Sequence, residues 1–257
     1  MNPDWKSRYE RAVETAEQAG QLALRYFDAD VQIEWKADES PVTVADREAE
    51  SLLRSTLLAR FPHDGFLGEE HGDKPGSSGY RWIVDPIDGT RNFVRSIPIW
   101  GTLVGLEYQG EMIAGVVVAP ALRQTWRALR GDGAYRGERR IRVSDVTTLQ
   151  QSTVFYTGLS WYAKAGRLDE IVQLLNGAQV SRGFGDFYGF MLTAQGSGEL
   201  MIDFGVHVWD VAAIKPLIEE AGGQFANWDG QQRIDRPDCI VTNGRVHDEV
   251  LKLLRPV

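Results

Sequence analysis

The sequence predicts a mixed α/β protein, with an α+β first part and a second part in which strands and helices alternate. Three observations carry that expectation. Apolar and small residues recur at helical spacing through Trp5, Tyr9, Ala12, Val13, Ala16, Ala19, Ala23, Leu24 and Phe27, which marks an amphipathic helix. In the middle of the chain, short runs rich in β-branched and aromatic residues ("YRWIVD", "IWGTLVGLEY", "MIAGVVVAP", "QTWRALR") follow one another between turn signals such as "QGE". Beyond a polar stretch at Ser144–Gln151, strand-like and helix-like segments take turns.

Taken in order, the first helix is followed by "WKADESPVTVAD", a loop punctuated by Pro41 and acids. A second helix is expected from about Val44 to Arg60, with Leu52, Leu53, Leu57 and Leu58 on its packed side. Thr43 and Asp46, three positions apart, resemble an N-terminal capping pair with Asp in place of the longer Glu. "PHDGFLGEEHGDKPGSSG" reads as loop around one short strand, with Gly76 to Gly79 expected to be mobile. The strands of the middle come next, and "RGDGAYRGERRIRVS" adds a hairpin pair around Asp132-Gly133. The polar stretch divides the chain into an N-terminal α+β subdomain, 1–146, and a C-terminal α/β subdomain, 147–257.

In the second part the pattern predicts a strand at Ser152–Tyr156 and a helix from about Trp161 to Leu175. A strand near Gln179–Arg182, a helix over Phe187–Ala194 and a strand at Glu199–Asp203 follow. A helix over about Asp210–Ala221 should end at Gly222-Gly223, with Pro216 kinking it or shifting its start. A strand at Cys239–Thr242 and a helix at Asp248–Leu254 close the chain.

Composition narrows the function classes. With 43% hydrophobic and 25% charged residues in 257, the chain has the make-up of a globular protein with an ample core. The 28 Lys and Arg against 36 Asp and Glu give a net charge of −8, which argues against a nucleic-acid surface or a polybasic membrane anchor. Cys239 is the only cysteine, so no intrachain disulfide forms and a reducing, cytoplasmic setting is expected. The N-terminus is charged and amphipathic rather than signal-like, and no apolar run approaches the ~20 residues of a membrane span.

The stretch "WIVDPIDGTRNF", Trp82–Phe93, is the strongest local signal. An apolar strand that runs straight into Asp85 and Asp88 concentrates negative charge where the backbone leaves the core, and a cation would satisfy it. Pro86 fixes one torsion and Gly89 permits close approach of a ligand. Glu69 follows "GFLG" in the same manner, and Asp210 opens a helix after the strand ending at Asp203. Ligand sites lie beyond the carboxyl ends of strands in open sheets, so these acids can meet at one sheet edge. All-oxygen ligation suits a hard cation, Mg²⁺ above all, and the absence of a His pair or Cys cluster argues against zinc. Each acid also has a plainer reading: a first-turn helix residue favoured by the dipole for Asp46, a helix cap for Asp210, a turn for Asp88-Gly89, a solvated pair for Glu69-Glu70. The strand-end acid Asp85 is the hardest to explain that way. Phe187 and Trp100 read first as core, and His71, His207 and His247 as solvated or packing residues.

Three motifs in order, "GEE" at Gly68–Glu70, "WIVDPIDGTRNF" and "WDVAAIKPLIEEAGG" at Trp209–Gly223, resemble the inositol monophosphatase family of Mg²⁺-dependent phosphomonoesterases. The likeness runs from "KADESPVTVAD" to "TNG". It implies a layered α-β-α-β-α sugar-phosphatase fold, a homodimer, and two or three Mg²⁺ held by Glu69, Asp85, Asp88, Asp210 and the carbonyl of Ile87. It further implies that Asp46 and Thr90, with Glu69, act on the attacking water, that Gly89 and Thr90 cradle the phosphate, and that Lys36 steadies the metals. Arg91 replaces a threonine common in the inositol enzymes. With "NFVRSIPIWGTLVGL" and "RGFGDFYGFMLTAQG", it resembles the histidinol-phosphatase branch. On that resemblance Asp186, where the inositol enzymes have a small residue, and Asp203, at the position of a substrate-contacting acid of the family, contact the substrate beside Asp210: the added carboxylate of Asp186 suits an ester bearing an ammonium and an imidazole. The expected activity is hydrolysis of L-histidinol phosphate in histidine biosynthesis, against an inositol-1-phosphate or broad sugar-phosphate phosphatase as the alternative. A third possibility is a catalytically silent relative, against which the intact acid set argues.

Overall fold

The computed structural model describes residues 2–29, 33–35 and 41–254. Asn2 Oδ1 accepts the Asp4 N–H at 2.9 Å and starts α1 (Pro3–Leu24), where the missing N–H of Pro3 costs nothing. Two short strands, β1 (Ile33–Trp35) and β2 (Pro41–Thr43), pair antiparallel where the sequence suggested only a loop. Lys36 lies outside the described residues. β2 runs directly into α2 (Val44–Arg60) through a capping box: Asp46 Oδ2 accepts the Thr43 N–H at 2.8 Å and Thr43 Oγ1 accepts the Ala45 N–H at 3.1 Å.

There follow β3 (Gly65–Gly68), β4 (Gly72–Lys74), β5 (Tyr80–Asp88), the short α3 (Thr90–Phe93), β6 (Gly101–Tyr108), β7 (Glu111–Ala119), β8 (Gln124–Leu129), β9 (Gly133–Arg136) and β10 (Arg139–Ile141). They form an eight-stranded sheet in the order β10-β9-β8-β7-β6-β5-β3-β4, antiparallel except for the parallel pair β3–β5. The rest of the chain contributes β11 (Thr153–Tyr156), α4 (Leu159–Lys164), α5 (Leu168–Gly177), β12 (Val180–Arg182), α6 (Asp186–Ala194), β13 (Leu200–Phe204), α7 (Val208–Ala212), α8 (Ile214–Glu220), β14 (Gln224–Ala226), β15 (Asp238–Thr242) and α9 (His247–Leu254). Its five-stranded sheet runs β12-β11-β13-β15-β14, with β12, β11 and β13 parallel and the other pairs antiparallel.

Strand alternation sorts side chains between cores. On β7, Val116 and Val118 face a core with α1 and α2, whereas Val117 and Ala119 face a second core shared with α6, α8 and the inner face of the five-stranded sheet. A third core packs α5 and α9 on the outer face of that sheet through Ile171, Leu174, Val250 and Leu251. The order of layers is therefore α-β-α-β-α. α8 lies directly on the larger sheet because a Cβ at Gly115 would meet the Ala213 carbonyl at 2.0 Å.

Three further expectations need correction. The helix expected over Trp161–Leu175 is two, α4 and α5, separated where Gly166 turns left-handed (φ 69°). The helix expected over Asp210–Ala221 is also two, because Pro216 has no N–H for the Ala212 carbonyl and the chain restarts at Ile214. Gly76–Gly79 is tied down rather than loose. The Ser77 and Ser78 N–H groups donate to the His63 carbonyl, and Ser78 Oγ donates to Asp64 Oδ1 at 2.7 Å.

Candidate active site

The register of the parallel pair brings the first acids together. Gly68 stands beside Val84, so the next residue of each strand, Glu69 and Asp85, emerges at the same carboxyl edge. In a regular strand Asp85 and Asp88, three apart, would point to opposite faces. An irregularity in β5 changes that: Asp85 pairs with Leu103 and Asp88 with Gly101, so β5 spends one residue more than β6 over this span. The extra residue returns Asp88 to the side of Asp85. Pro86 stands in the bulge, its carbonyl accepting Thr102 Oγ1 at 2.8 Å, and Asp85 Oδ1 accepts the Ile87 N–H at 3.0 Å. Gly89, left-handed at φ 84°, then turns the chain into α3; a Cβ there would lie 3.0 Å from the Ile99 carbonyl.

Asp210 arrives from the other half, in the first turn of α7, its Oδ2 accepting the His207 N–H at 2.7 Å. One oxygen from each of Asp85, Asp88 and Asp210 lies within 4.8 Å of the others. Asp46 and Asp210 are both first-turn acids that accept the N-cap N–H, so the plain reading of each is correct, and that position does not exclude a place at the site. Asp46 sits behind Thr90: Thr90 Oγ1 donates to the Ile87 carbonyl at 2.9 Å and lies 3.5 Å from Asp46 Oδ1. A hydroxyl has one proton to donate, and the shorter bond holds it in this state.

Opposite this edge, the carboxyl ends of β11 and β13 and the start of α6 supply the remaining walls. A cavity of about 200 Å³ is lined by Glu69, Asp85, Ile87, Asp88, Gly89, Thr90, Arg91, Asp186, Asp203 and Asp210. Every residue that the family resemblance implies for the site thus lines this cavity, except Asp46 behind Thr90 and the undescribed Lys36. Trp100 packs against Phe27 and Phe93 in the core, whereas Phe187 reaches the cavity wall. Asp186 holds φ 53°, a left-handed backbone that Asp tolerates better than most residues. Its Oδ2 accepts Asn92 Nδ2 at 2.9 Å, and the same amide nitrogen donates to the Ile99 carbonyl at 2.8 Å. Asp88 Oδ2 in turn accepts the Phe187 N–H at 2.6 Å. Asn92, Thr157 and Trp161 were missed in the sequence. Asn92 stands inside the quoted motif, but nothing in its spacing says that it reaches across to Asp186.

Electrostatics show what a cation would offset in this arrangement. Burial, then the charges of Glu69, Asp88 and Asp210, push the Asp85 carboxyl well above the usual carboxylate range. Burial and Asp186 do the same to Asp88, and burial with Asp186 to Asp203. Burial raises Asp210 to about 7, with Glu69 and Asp186 adding to the rise. Asp186 is raised to about 6 by burial, moderated by Asn92 and Arg91, and Asp46 to about 6 by burial, moderated by Thr43. Buried carboxylates this close repel one another unless protonated or bridged. Oxygen-only donors, three within reach of one point, fit a hard divalent cation.

Comparison with known proteins agrees with this geometry. The model of the inositol monophosphatase family matches residues 4–256. The chain is 41% identical over 243 residues to a histidinol-phosphatase of Chlorobaculum parvum, covering 94% of this chain and 92% of that protein. It is 34% identical over 251 residues to an inositol-1-monophosphatase of Mesorhizobium japonicum, covering 95% and 94%. The crystal structure of extragenic suppressor protein suhB from Bartonella henselae superposes with a TM-score of 0.90 at 29% identity, over 96% of this chain and 97% of that one. By sequence, by layered fold and by the acids gathered at the sheet edges, the chain belongs to the inositol monophosphatase family.

Proposed function

We propose that this phosphatase is a Mg²⁺-dependent phosphomonoesterase that hydrolyses L-histidinol phosphate to L-histidinol and phosphate. One observation carries the substrate: the cavity holds six carboxylates, Glu69, Asp85, Asp88, Asp186, Asp203 and Asp210, with Arg91 as its only Lys or Arg among the described residues. Divalent cations offset part of that charge and the phosphate dianion adds to it again, so the balance favours an alcohol that is itself a cation. The 41% identity to a histidinol-phosphatase supports the same choice.

Glu69, Asp85, Asp88, Asp210 and the Ile87 carbonyl would hold two or three Mg²⁺. When bound, the metal supplies charge neutralisation at the phosphate and makes a water more acidic. The chain's own groups do the rest. The Gly89 and Thr90 N–H groups, at the turn into α3, hold phosphate oxygens, and Arg91 adds a cation beside them. Thr90 orients the attacking water, and its proton passes toward Asp46, whose value of about 6 suits a group that takes a proton near neutrality. Glu69 faces the same water. Asp186 and Asp203 pair with the cationic end of the alcohol, beside Asp210.

Phosphate release from histidinol phosphate and inositol-1-phosphate, each with Mg²⁺ and with EDTA, tests the reading. Mg²⁺-dependent turnover strongly favouring histidinol phosphate supports it. Preference for inositol-1-phosphate, the second reading that the Mesorhizobium relative favours, removes the role of Asp186 and Asp203 and leaves the metal site standing. The same reading takes the working form as a cytoplasmic homodimer, and a single-chain mass in light scattering would remove the dimer from it.

A further inference from the structure

Helix α2 sends two acids to the floor of the site, one turn apart on the same face: Asp46, behind Thr90, and Glu50. Glu50 does not line the cavity. Its side chain is 0% exposed, and among the described residues no Lys or Arg pairs with it. Instead the turn after β3 wraps around it. Glu50 Oε2 accepts the Glu70 N–H at 2.7 Å, Oε1 accepts the His71 N–H at 2.8 Å, and His71 Nδ1 lies 3.0 Å from Oε1. On the near side of the turn, a Cβ at Gly68 would lie 2.2 Å from Oε1, so this carboxylate fills the space that a side chain at Gly68 would take. The Glu50 carboxyl group is therefore seated against successive backbone amides, with contacts on both sides of Glu69.

Burying a carboxylate without a cation is costly, and two amide N–H bonds and a ring offset that cost only in this one conformation of the turn. The acid thus selects one path for residues 68–71. That path matters because Glu69 reaches the cavity wall but stands outside the set of Asp85, Asp88 and Asp210 oxygens that lie within 4.8 Å of one another. Those three acids leave β5 and α7, whereas Glu69 leaves a turn whose geometry rests on what lies beneath it.

We propose that Glu50 is a positioning residue for metal binding: by holding the Glu70 and His71 amides it fixes where Glu69 presents its carboxylate. The inference rests on the metal reading given above. It also assigns a task to Gly68, the small residue that lets the carboxylate into the turn.

The test is Glu50→Gln in the full chain, which keeps volume but turns one amide donor against a backbone N–H. Mg²⁺ affinity, measured by titration calorimetry without substrate, is expected to fall ~10- to 100-fold, the usual cost of losing a group that orients a metal ligand. The Mg²⁺ concentration needed for half-maximal turnover should rise with it, while kcat at saturating Mg²⁺ returns toward the native value. His71→Ala, which deletes the ring contact and keeps both N–H bonds, should retain near-native Mg²⁺ affinity. Native Mg²⁺ affinity in Glu50→Gln, with only a lower melting temperature in EDTA, overturns the proposal. If Glu50→Gln does not fold, Gly68→Ala asks the same question from the other side of the turn, and unchanged affinity there overturns it equally. A native chain that binds no Mg²⁺ overturns this proposal and the metal reading together. A native chain that binds, with variants that bind alike, overturns this proposal alone.

Discussion

The two sheets hold their acids over the cavity in different ways. At the edge of the larger sheet, Asp85 is bonded by the amide of its own bulge, and Asp46 by the cap of its own helix. Across the cavity, Asp186 is bonded by Asn92, 94 positions earlier, and the amide next to Asp186 is bonded by Asp88, 99 positions from it. Local turns build the first wall. The second is built only when the halves pack, and its acid is held by the wall it faces. Activity toward phosphate esters in general should therefore follow the first wall, and choice among esters the second.

The largest effect expected is at the first wall. Asp88→Asn should lower kcat/KM by about 10³-fold, about 4 kcal/mol, for every ester tested. A loss confined to cationic esters would break the division between walls.

Removing metal comes next. A carboxyl whose folded value is raised favours the protonated fold, so it costs nothing below the unfolded value of about 4. The cost to the metal-free fold grows as pH climbs, and the part that Asp210 contributes is complete above about 7. Metal-free protein should therefore melt lower at pH 8 than at pH 5. Mg²⁺ needs the charged carboxylates, so its stabilisation, about 2.7 kcal/mol at a hundredfold excess over Kd, should be larger at pH 8. Melting curves with Mg²⁺ and with EDTA at both values check this; equal gaps would argue against a carboxylate metal site.

At the second wall, Asp186→Asn keeps the left-handed backbone tolerable and removes only charge. It should cost about 2 kcal/mol, roughly thirtyfold in kcat/KM, on histidinol phosphate. Inositol-1-phosphate turnover should change little, and equal losses on both would move Asp186 into the general site. The smallest effect is Asn92→Ala, about 1 kcal/mol and roughly fivefold, on the cationic ester alone and seen mainly in KM. If it instead matched Asp88→Asn, Asn92 would belong to the first wall.

Much of the site was legible because its strongest motif is local. Asp85, Asp88 and Gly89 lie within one strand end and its turn, and a strand that ends in acids announces itself without knowledge of the fold. The same sequence did not show that β5 bulges at Pro86, and without that extra residue Asp88 would point away from Asp85. Asp46 and Asp210 could be read only as caps or as members of a resembling motif, since a capping acid has the same sequence pattern whether or not its far oxygen faces a cavity. The short strands β1, β2, β4 and β14 escaped: with three residues each, alternation barely registers. Pro216 and Gly166 were both visible, but whether a helix kinks, restarts or ends there depends on what each fragment packs against.

By itself the sequence determined the elements with long periodic patterns, the acid excess and the turn that carries Asp85 and Asp88, because backbone preference and hydrophobic spacing act over a few residues. Only the tertiary structure decided which distant residues share a hydrogen bond: Asn92 with Asp186, Phe187 with Asp88, Glu50 with the amides of Glu70 and His71. Those bonds exist because two sheets and the helices between them pack at one spacing and one register, and no local preference encodes that register.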